Sequence, residues 1–317
     1  MFFDMVEKHD FKVIYPCNCP FLERLKCLED PPDCLYYYGS LPEKTDNKIK
    51  TGRFPFEIGR KKVVAIVGAR KMTPYGESWA FKIAKELAEL GVIVVSGLAT
   101  GIDAAAHRGA LAGGGQTIAF LGTPIDKIYP SENLGLFEQI LEQDGAVFSE
   151  YGVGAKIYPK TAFLHRNRLI SGVADAVIVV EADVKSGSLN TAVHALSQGV
   201  PLFAVPGDLN RQMSRGCNGL FSKGAAAYTA VEDVLNVLFP GGIRTKKREK
   251  AELFGSTPDE TAVLKLLSSG ITSGEEILLR ISESDPGFCI SRFNTAITML
   301  EIKGVVKREF ANNWLLC

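Results

Sequence analysis

From residue 63 onward the chain is punctuated by short, continuous apolar runs. Val63-Val64-Ala65-Ile66-Val67 stops at Gly68, Val92-Ile93-Val94-Val95 at Ser96-Gly97, and Thr117-Ile118-Ala119-Phe120-Leu121 at Gly122. Ala176-Val177-Ile178-Val179-Val180 stops at Glu181, Pro201-Leu202-Phe203-Ala204-Val205 at Pro206-Gly207, and Ala146-Val147-Phe148 is a shorter run of the same kind. Helical stretches are expected between them over 75–90, 102–111 and 189–198. Strands apolar on both faces, interleaved with helices, predict a parallel sheet covered on both sides. The expectation is a doubly wound, mostly parallel α/β domain over 61–240, with ligands bound beyond the carboxyl ends of its strands.

The flanks read differently. Residues 1–60 form a lead-in packed on that domain, with turns at Pro31-Pro32 and Gly39, a β-prone run Leu35-Tyr36-Tyr37-Tyr38, and a polar, basic connection over 44–62. Residues 241–258 form a basic linker in which the run Arg244, Lys246, Lys247, Arg248 and Lys250 is interrupted only by Glu249, either solvated or in contact with phosphate. Residues 259–317 form a small module. One helix is expected over Glu260 to Leu267, a second capped by Ser273 with Glu276 as box partner, and a third capped by Ser291 and running to about Ile302. Two short strands, Val305 to Phe310 and Asn313 to Leu316, complete the outline of a winged helix. Its third helix sets Arg292 and Lys303 against Glu301, so DNA reading and protein contact stay equally open.

Composition narrows the class. The 36 Lys+Arg and 36 Asp+Glu among 317 residues cancel, which excludes a polybasic protein without excluding a local basic site. No apolar window reaches the ~18 residues of a membrane span, and the acidic start carries no signal-peptide pattern, so no membrane association and a cytoplasmic location are expected. Of seven cysteines, Cys17, Cys19, Cys27 and Cys34 crowd together. A zinc site is one reading, but no pair is Cys-x-x-Cys, and reduced thiols with no metal are expected.

The chemistry-bearing residues sit at the strand ends. Gly68-Ala69-Arg70 is neither a dinucleotide fingerprint nor a Walker loop, yet a strand-end Gly beside Arg suits phosphate. Ser96-Gly97 opens a loop to Gly101-Ile102-Asp103, with His107 one turn on; no nucleophile accompanies His107, which reads as a hydrogen-bonded helix residue rather than an acid–base. Lys160, Phe163, Arg166, Asn167 and Arg168 place an aromatic among cations, the combination that follows a nucleic-acid strand. Arg168 is expected to form a structural ion pair with Glu181, while Lys160 faces ligand. Gly187, Ser188 and Thr191 open a helix whose N-terminus suits phosphate, and turns at 204–208 and 214–218 are candidates to line the same crevice. Eight basic residues against four acidic ones lie between Lys156 and Lys223, and six acidic residues against Lys127 between Asp126 and Glu150, so the neutral total separates into a basic and an acidic region.

Together these motifs resemble the DNA-processing protein A (DprA/Smf) family. The resemblance rests on Gly68-Ala69-Arg70 with Thr73-x-Tyr75-Gly76, on Ser96-Gly97-Leu98-Ala99 with Gly101 to His107, and on Phe163-x-x-Arg166-Asn167-Arg168-x-Ile170-Ser171-Gly172. Val180-Glu181-Ala182, Ser186-Gly187-Ser188-Leu189-x-Thr191-Ala192 and Ala204-Val205-Pro206-Gly207 complete it over about residues 15–240. It departs from the family at Ala69, Thr100, Leu164-His165 and Asn190, and the helical domain that precedes this region in many members is expected to be absent.

The resemblance implies a Rossmann-like domain with a winged-helix tail, no cofactor, and a non-catalytic homodimer. Such a protein binds single-stranded DNA and loads a RecA-type recombinase in transformation or recombination. It implies a DNA pocket built from Gly68, Ala69, Arg70, Ser96, Gly97, Lys160, Phe163, Arg166, Asn167 and Arg168, with Gly187, Ser188 and Thr191 beside them. The alternative is a nucleotide hydrolase of the lysine-decarboxylase-like group with Glu181 as its acid, although that group's Pro-Gly-Gly-x-Gly-Thr stretch is replaced by Ser186-Gly187-Ser188. A protein-binding scaffold is a third reading.

Overall fold

Strand β3 (Val63–Val67) is buried along its whole length, and its side chains alternate between two cores. Ala65 and Val67 join Phe120, Phe148 and Leu169 on one face, while Val64 and Ile66 join Ile83, Leu87 and Val94 on the other. That period of two is why the run has no polar face. The computed structural model describes residues 10–42, 61–240, 255–308 and 313–316. Contacts divide the chain into one unit spanning residues 1–243 and a second spanning 244–317. Nearly all of the 44–62 connection and most of the 241–258 linker lie outside the described residues.

The first unit holds a nine-stranded sheet. Its strands are β1 (Lys12–Ile14), β2 (Leu35–Gly39), β3, β4 (Ile93–Ser96), β5 (Thr117–Leu121), β6 (Ala146–Ser149), β7 (Ala176–Val179), β8 (Leu202–Ala204) and β9 (Ala226–Ala227), in the order β1-β2-β6-β5-β4-β3-β7-β8-β9. From β6 to β9 all pairings are parallel, whereas β1–β2 and β2–β6 are antiparallel. This is the doubly wound, mostly parallel α/β fold. Helices α1 (Pro74–Glu89), α2 (Ile102–Ala112) and α7 (Val231–Leu238) cover one face. Helices α4 (Pro159–Val173), α5 (Ser188–Ser197) and α6 (Gln212–Phe221) cover the other, and α3 (Leu134–Glu142) packs a third cluster around Leu98 and Val147.

Two features depart from the pattern read in the sequence. The Ser214–Asn218 stretch, taken for a turn, lies inside α6, where Ser214, Gly216 and Cys217 are buried. The lead-in supplies sheet edge and core alike: Phe21 and Tyr37 stack on Phe148, and Phe148 on Phe120. Cys19 belongs to that core, whereas Cys17 and Cys27 are exposed. Among the described residues no group of three or more metal-ligating side chains converges, and no helix is long and apolar enough to cross a membrane.

The second unit has the element order of a winged helix: α8 (Pro258–Ser268), α9 (Gly274–Ser284), α10 (Ile290–Ile302), and the antiparallel strands β10 (Val306–Arg308) and β11 (Trp314–Leu316). Val263, Ile277, Phe293, Ile297 and Trp314 form its core. Ser273 precedes α9 but its side chain makes no capping bond, and Glu276 accepts from Arg280 at 2.7 Å instead of closing a capping box. Helix α10 begins after Cys289 rather than after Ser291. Its basic residues turn back onto α8: Arg292 donates to Asp259 at 2.5 and 2.9 Å and to Asp285 at 3.0 Å, and Lys303 donates to Glu260 at 2.7 and 2.9 Å. The charge of Arg292 and Lys303 is thus offset by Asp259, Asp285 and Glu260, rather than by Glu301 as the sequence suggests.

Hydrogen bonding from Arg292 holds the Asp259 carboxyl below its ordinary 3.8, and Lys303 holds Glu260 below 4.5. Stability from depressed carboxylates is complete above the ordinary values and is lost as the pH falls through the lower folded ones. An acid titration read by Trp314 fluorescence in a Trp79→Phe background is therefore expected to report loss of this core below about pH 4. Arg292→Gln is expected to make the module less stable at neutral pH and its acid dependence shallower.

Candidate functional site

A crevice of about 900 Å³ opens at the carboxyl ends of β3, β4 and β7. The chain leaves β3 for β4 on one side, and β7 lies on the other, so this is the point where strand order reverses and the two following loops diverge. Gly68, Ala69, Arg70 and Lys71 after β3 form one wall, Lys160, Phe163, Arg166 and Asn167 of α4 a second, and Gly187, Ser188 and Thr191 at the start of α5 a third.

Buried groups fix that geometry. Arg166, 5% exposed, donates from Nη1 to the carbonyls of Gly97 (2.9 Å) and Phe120, and from Nε to Asn167 Oδ1 at 3.3 Å. Asp103 lies opposite, accepting from the Gly97 N–H at 3.2 Å. Gly97 is threaded between the two side chains: a Cβ there would lie 2.6 Å from Arg166 Nη2 and 2.7 Å from Asp103 Oδ2. Burial pushes the Asp103 carboxyl up while Arg166 opposes the rise, and burial lowers the Arg166 guanidinium to about 10 against the pull of Asp103. Arg166 thus lines the crevice from below as the cation that holds the β4 loop. Asn167 ties α4 to α5, donating to the Gly187 carbonyl at 3.3 Å and to Asn190 Oδ1 at 3.2 Å.

The exposed groups are arranged around an aromatic pair. The Arg70 guanidinium lies 4.8 Å from the centroid of the half-buried Phe163 ring, and the Tyr129 ring lies 5.7 Å away at 43°. Arg70, Lys71, Lys160 and Lys185 are exposed on the crevice lining. Among the described residues, none of the four makes an ion pair. Ser186 and Ser188 hydroxyls meet at 2.7 Å beside the exposed Gly187. Tyr129, Lys71 and Lys185 were absent from the sequence-derived set. Tyr129 sits in the loop after β5, inside the acidic region, and the available signal was a Tyr-Pro pair beyond a strand's carboxyl end.

Two expectations need correction. Arg168 does not pair with Glu181 and does not reach the crevice. It is 5% exposed and bonds Glu150 bidentately at 2.6 and 2.9 Å and the Asp30 carbonyl at 2.9 Å, because the turn of α4 directs it toward the end of β6 and the lead-in. Glu181, at the end of β7, faces the start of α1. It accepts from Thr73 N–H at 2.8 Å and from Thr73 Oγ1 at 2.6 Å, and lies where a Cβ on Gly76 would come within 2.1 Å of Oε2. Ser96 is likewise structural, donating to the Ile66 carbonyl at 2.6 Å from a buried position. His107 bonds Thr117 Oγ1 through Nδ1 at 2.8 Å. The Thr117 hydroxyl in turn donates to the Val94 carbonyl, so it accepts from an Nδ1–H tautomer. Burial lowers His107 to about 3, leaving it neutral as a helix residue.

Comparison with known proteins shows the family. Residues 12–239 match the family model described as DNA recombination-mediator protein A. Protein Smf of Synechocystis sp. is 39% identical over 237 residues, covering 74% of this chain and 56% of that protein. DNA processing protein DprA of Streptococcus pneumoniae is 40% identical over 206 residues, covering 65% and 67%. The match thus spans little more than half the length of the Synechocystis protein. Among solved structures, DNA processing protein A of Helicobacter pylori, described for its single-stranded DNA binding mode, aligns with a TM-score of 0.59 at 34% identity over 73% of this chain and 97% of that one. The Streptococcus pneumoniae protein aligns with a TM-score of 0.59 at 37% identity over 71% and 74%.

Arg168→Ala leaves the partly buried Glu150 carboxylate with only His165, 3.5 Å away, in place of its bidentate partner, which is expected to cost about 3 kcal/mol in urea unfolding. A double-mutant cycle is expected to give a coupling of about 1–3 kcal/mol between Arg168 and Glu150 and none between Arg168 and Glu181.

Proposed function

The chain belongs to the DNA recombination-mediator protein A family, and from that premise we propose that it is a single-stranded DNA-binding protein that protects exposed or incoming strands and loads a RecA-type recombinase onto them. The observation that carries the reading is the set of four exposed cations around the Phe163–Tyr129 pair. Arg and Lys neutralise successive phosphates, and an aromatic face accepts any base, so together they bind a strand with little regard to sequence. The start of α5, with Ser188 and Thr191 behind Gly187, adds N–H donors and a favourable dipole for one phosphate. A duplex would hide its base faces from Phe163; an unpaired strand presents them.

A binding role rather than catalysis is supported by the chemistry at hand. The acid required by the hydrolase alternative, Glu181, spends both oxygens on Thr73 and does not line the crevice. Recombinase loading and the homodimer rest on the family resemblance, and a cytoplasmic location on the sequence reading alone. In the second unit, Arg292 and Lys303 are engaged by carboxylates, which favours protein contact over phosphate contact for α10.

In mobility-shift titrations, Arg70→Ala and Lys160→Ala are each expected to weaken single-strand binding and to make the log–log salt dependence shallower by about 0.7. Phe163→Ala is expected to lose about 1–3 kcal/mol of binding with little change in salt slope. Arg168→Ala is expected to bind normally wherever it is folded. Unchanged affinity in both cation variants would remove the crevice as the site.

A further inference from the structure

On the far side of the Phe163–Tyr129 pair lies a second, smaller recess of about 240 Å³ that shares Arg70, Tyr129 and Phe163 with the main crevice. Its walls are preformed. Leu98, held at φ 54 in the left-handed region, has its carbonyl taken by the buried Asn133 side chain at 2.9 Å, which pins the 131–133 turn against the β4 loop. Gly97, on the same wall, is clamped by Arg166 and Asp103.

The crevice lining carries several cations, whereas Arg70 is the one cation among the residues lining this recess. Beyond Arg70, the chemistry comes from Thr100, Ser131 and Glu132, all exposed. None of these three side chains makes a hydrogen bond within the described residues. A carboxylate repels phosphate and accepts hydrogen bonds without donating any. An aromatic wall with a carboxylate at its edge matches a flat ring that carries N–H donors on its rim.

We propose that this recess is a second nucleotide subsite that takes a base rather than a phosphate, with Glu132 selecting bases that carry an exocyclic amino group. The strand would pass over Arg70, which sits between the two cavities and can hold the phosphate joining the two nucleotides. The base in the recess packs against Tyr129, and its amino group donates to the Glu132 carboxylate. Sequence-tolerant binding in the crevice is thereby joined to a mild preference at one position. The inference rests on the reading of the crevice as a single-strand site.

The test compares oligo-dC with oligo-dU of equal length by fluorescence anisotropy, since the two bases differ at the 4-position, amino against carbonyl. The unaltered chain is expected to bind oligo-dC about fivefold more tightly. Glu132→Gln, an exposed and nearly isosteric change, is expected to retain binding and to bring the ratio within about twofold, because an amide serves both base edges. Equal affinities in the unaltered chain, or an unchanged ratio in Glu132→Gln, overturn the subsite and leave the crevice reading standing. Equal strengthening of both oligonucleotides in Glu132→Gln also overturns it, since that marks a merely repelling surface charge. Failure of the unaltered chain to bind either oligonucleotide overturns the crevice reading, and the subsite with it.

Discussion

The architecture of the strand-end loops depends on one buried cation. Arg166 reaches from α4 across the sheet end to the carbonyls of Gly97 and Phe120, facing Asp103. A guanidinium in so dry a place is tolerated only with its donors occupied and a counter-charge near, and both conditions constrain the sequence around it. Residue 97 must be glycine because the two charged side chains occupy the space of a Cβ. The exposed cations then stand on a rigid base, so little order has to be gained when a ligand arrives.

That arrangement explains which parts of the site were legible in the sequence. Gly68, Arg70, Lys160 and Phe163 announce themselves because each sits at a strand end or helix start with chemistry that faces a ligand. The Arg166-Asn167-Arg168 run is legible as important, yet its three residues do different work. Consecutive positions on a helix point about 100° apart, so Arg166 faces the crevice floor and Arg168 turns toward Glu150. Composition alone does not separate a cation for phosphate from one for a carboxylate. Tyr129 was lost for the same reason in reverse: an acidic stretch in the sequence became a rim of the basic crevice once folded.

The fold was legible wherever a strand lies in the middle of the sheet. The runs at β3, β4, β5 and β7 are buried on both faces and leave an unmistakable apolar signature. Strands β1 and β9, of three and two residues, are partly or fully exposed and carry no such pattern. In α6, Ser214, Gly216 and Asn218 resemble turn residues, but close packing of Gly216 on the Ala182 carbonyl and of Asn218 on Gly207 calls for small and amide side chains within a helix.

The sheet order also bears on how the chain is made. Strand β2 lies beside β6, with Tyr36 opposite Ser149, so β2 cannot join β6 until more than a hundred further residues have been made. At ordinary rates of synthesis that wait lasts roughly 5–20 seconds. Throughout it Leu35, Tyr37 and Phe21 have no core to enter. The growing chain thus carries an adhesive apolar segment, still unpaired with β6, for the whole time the central strands are being made.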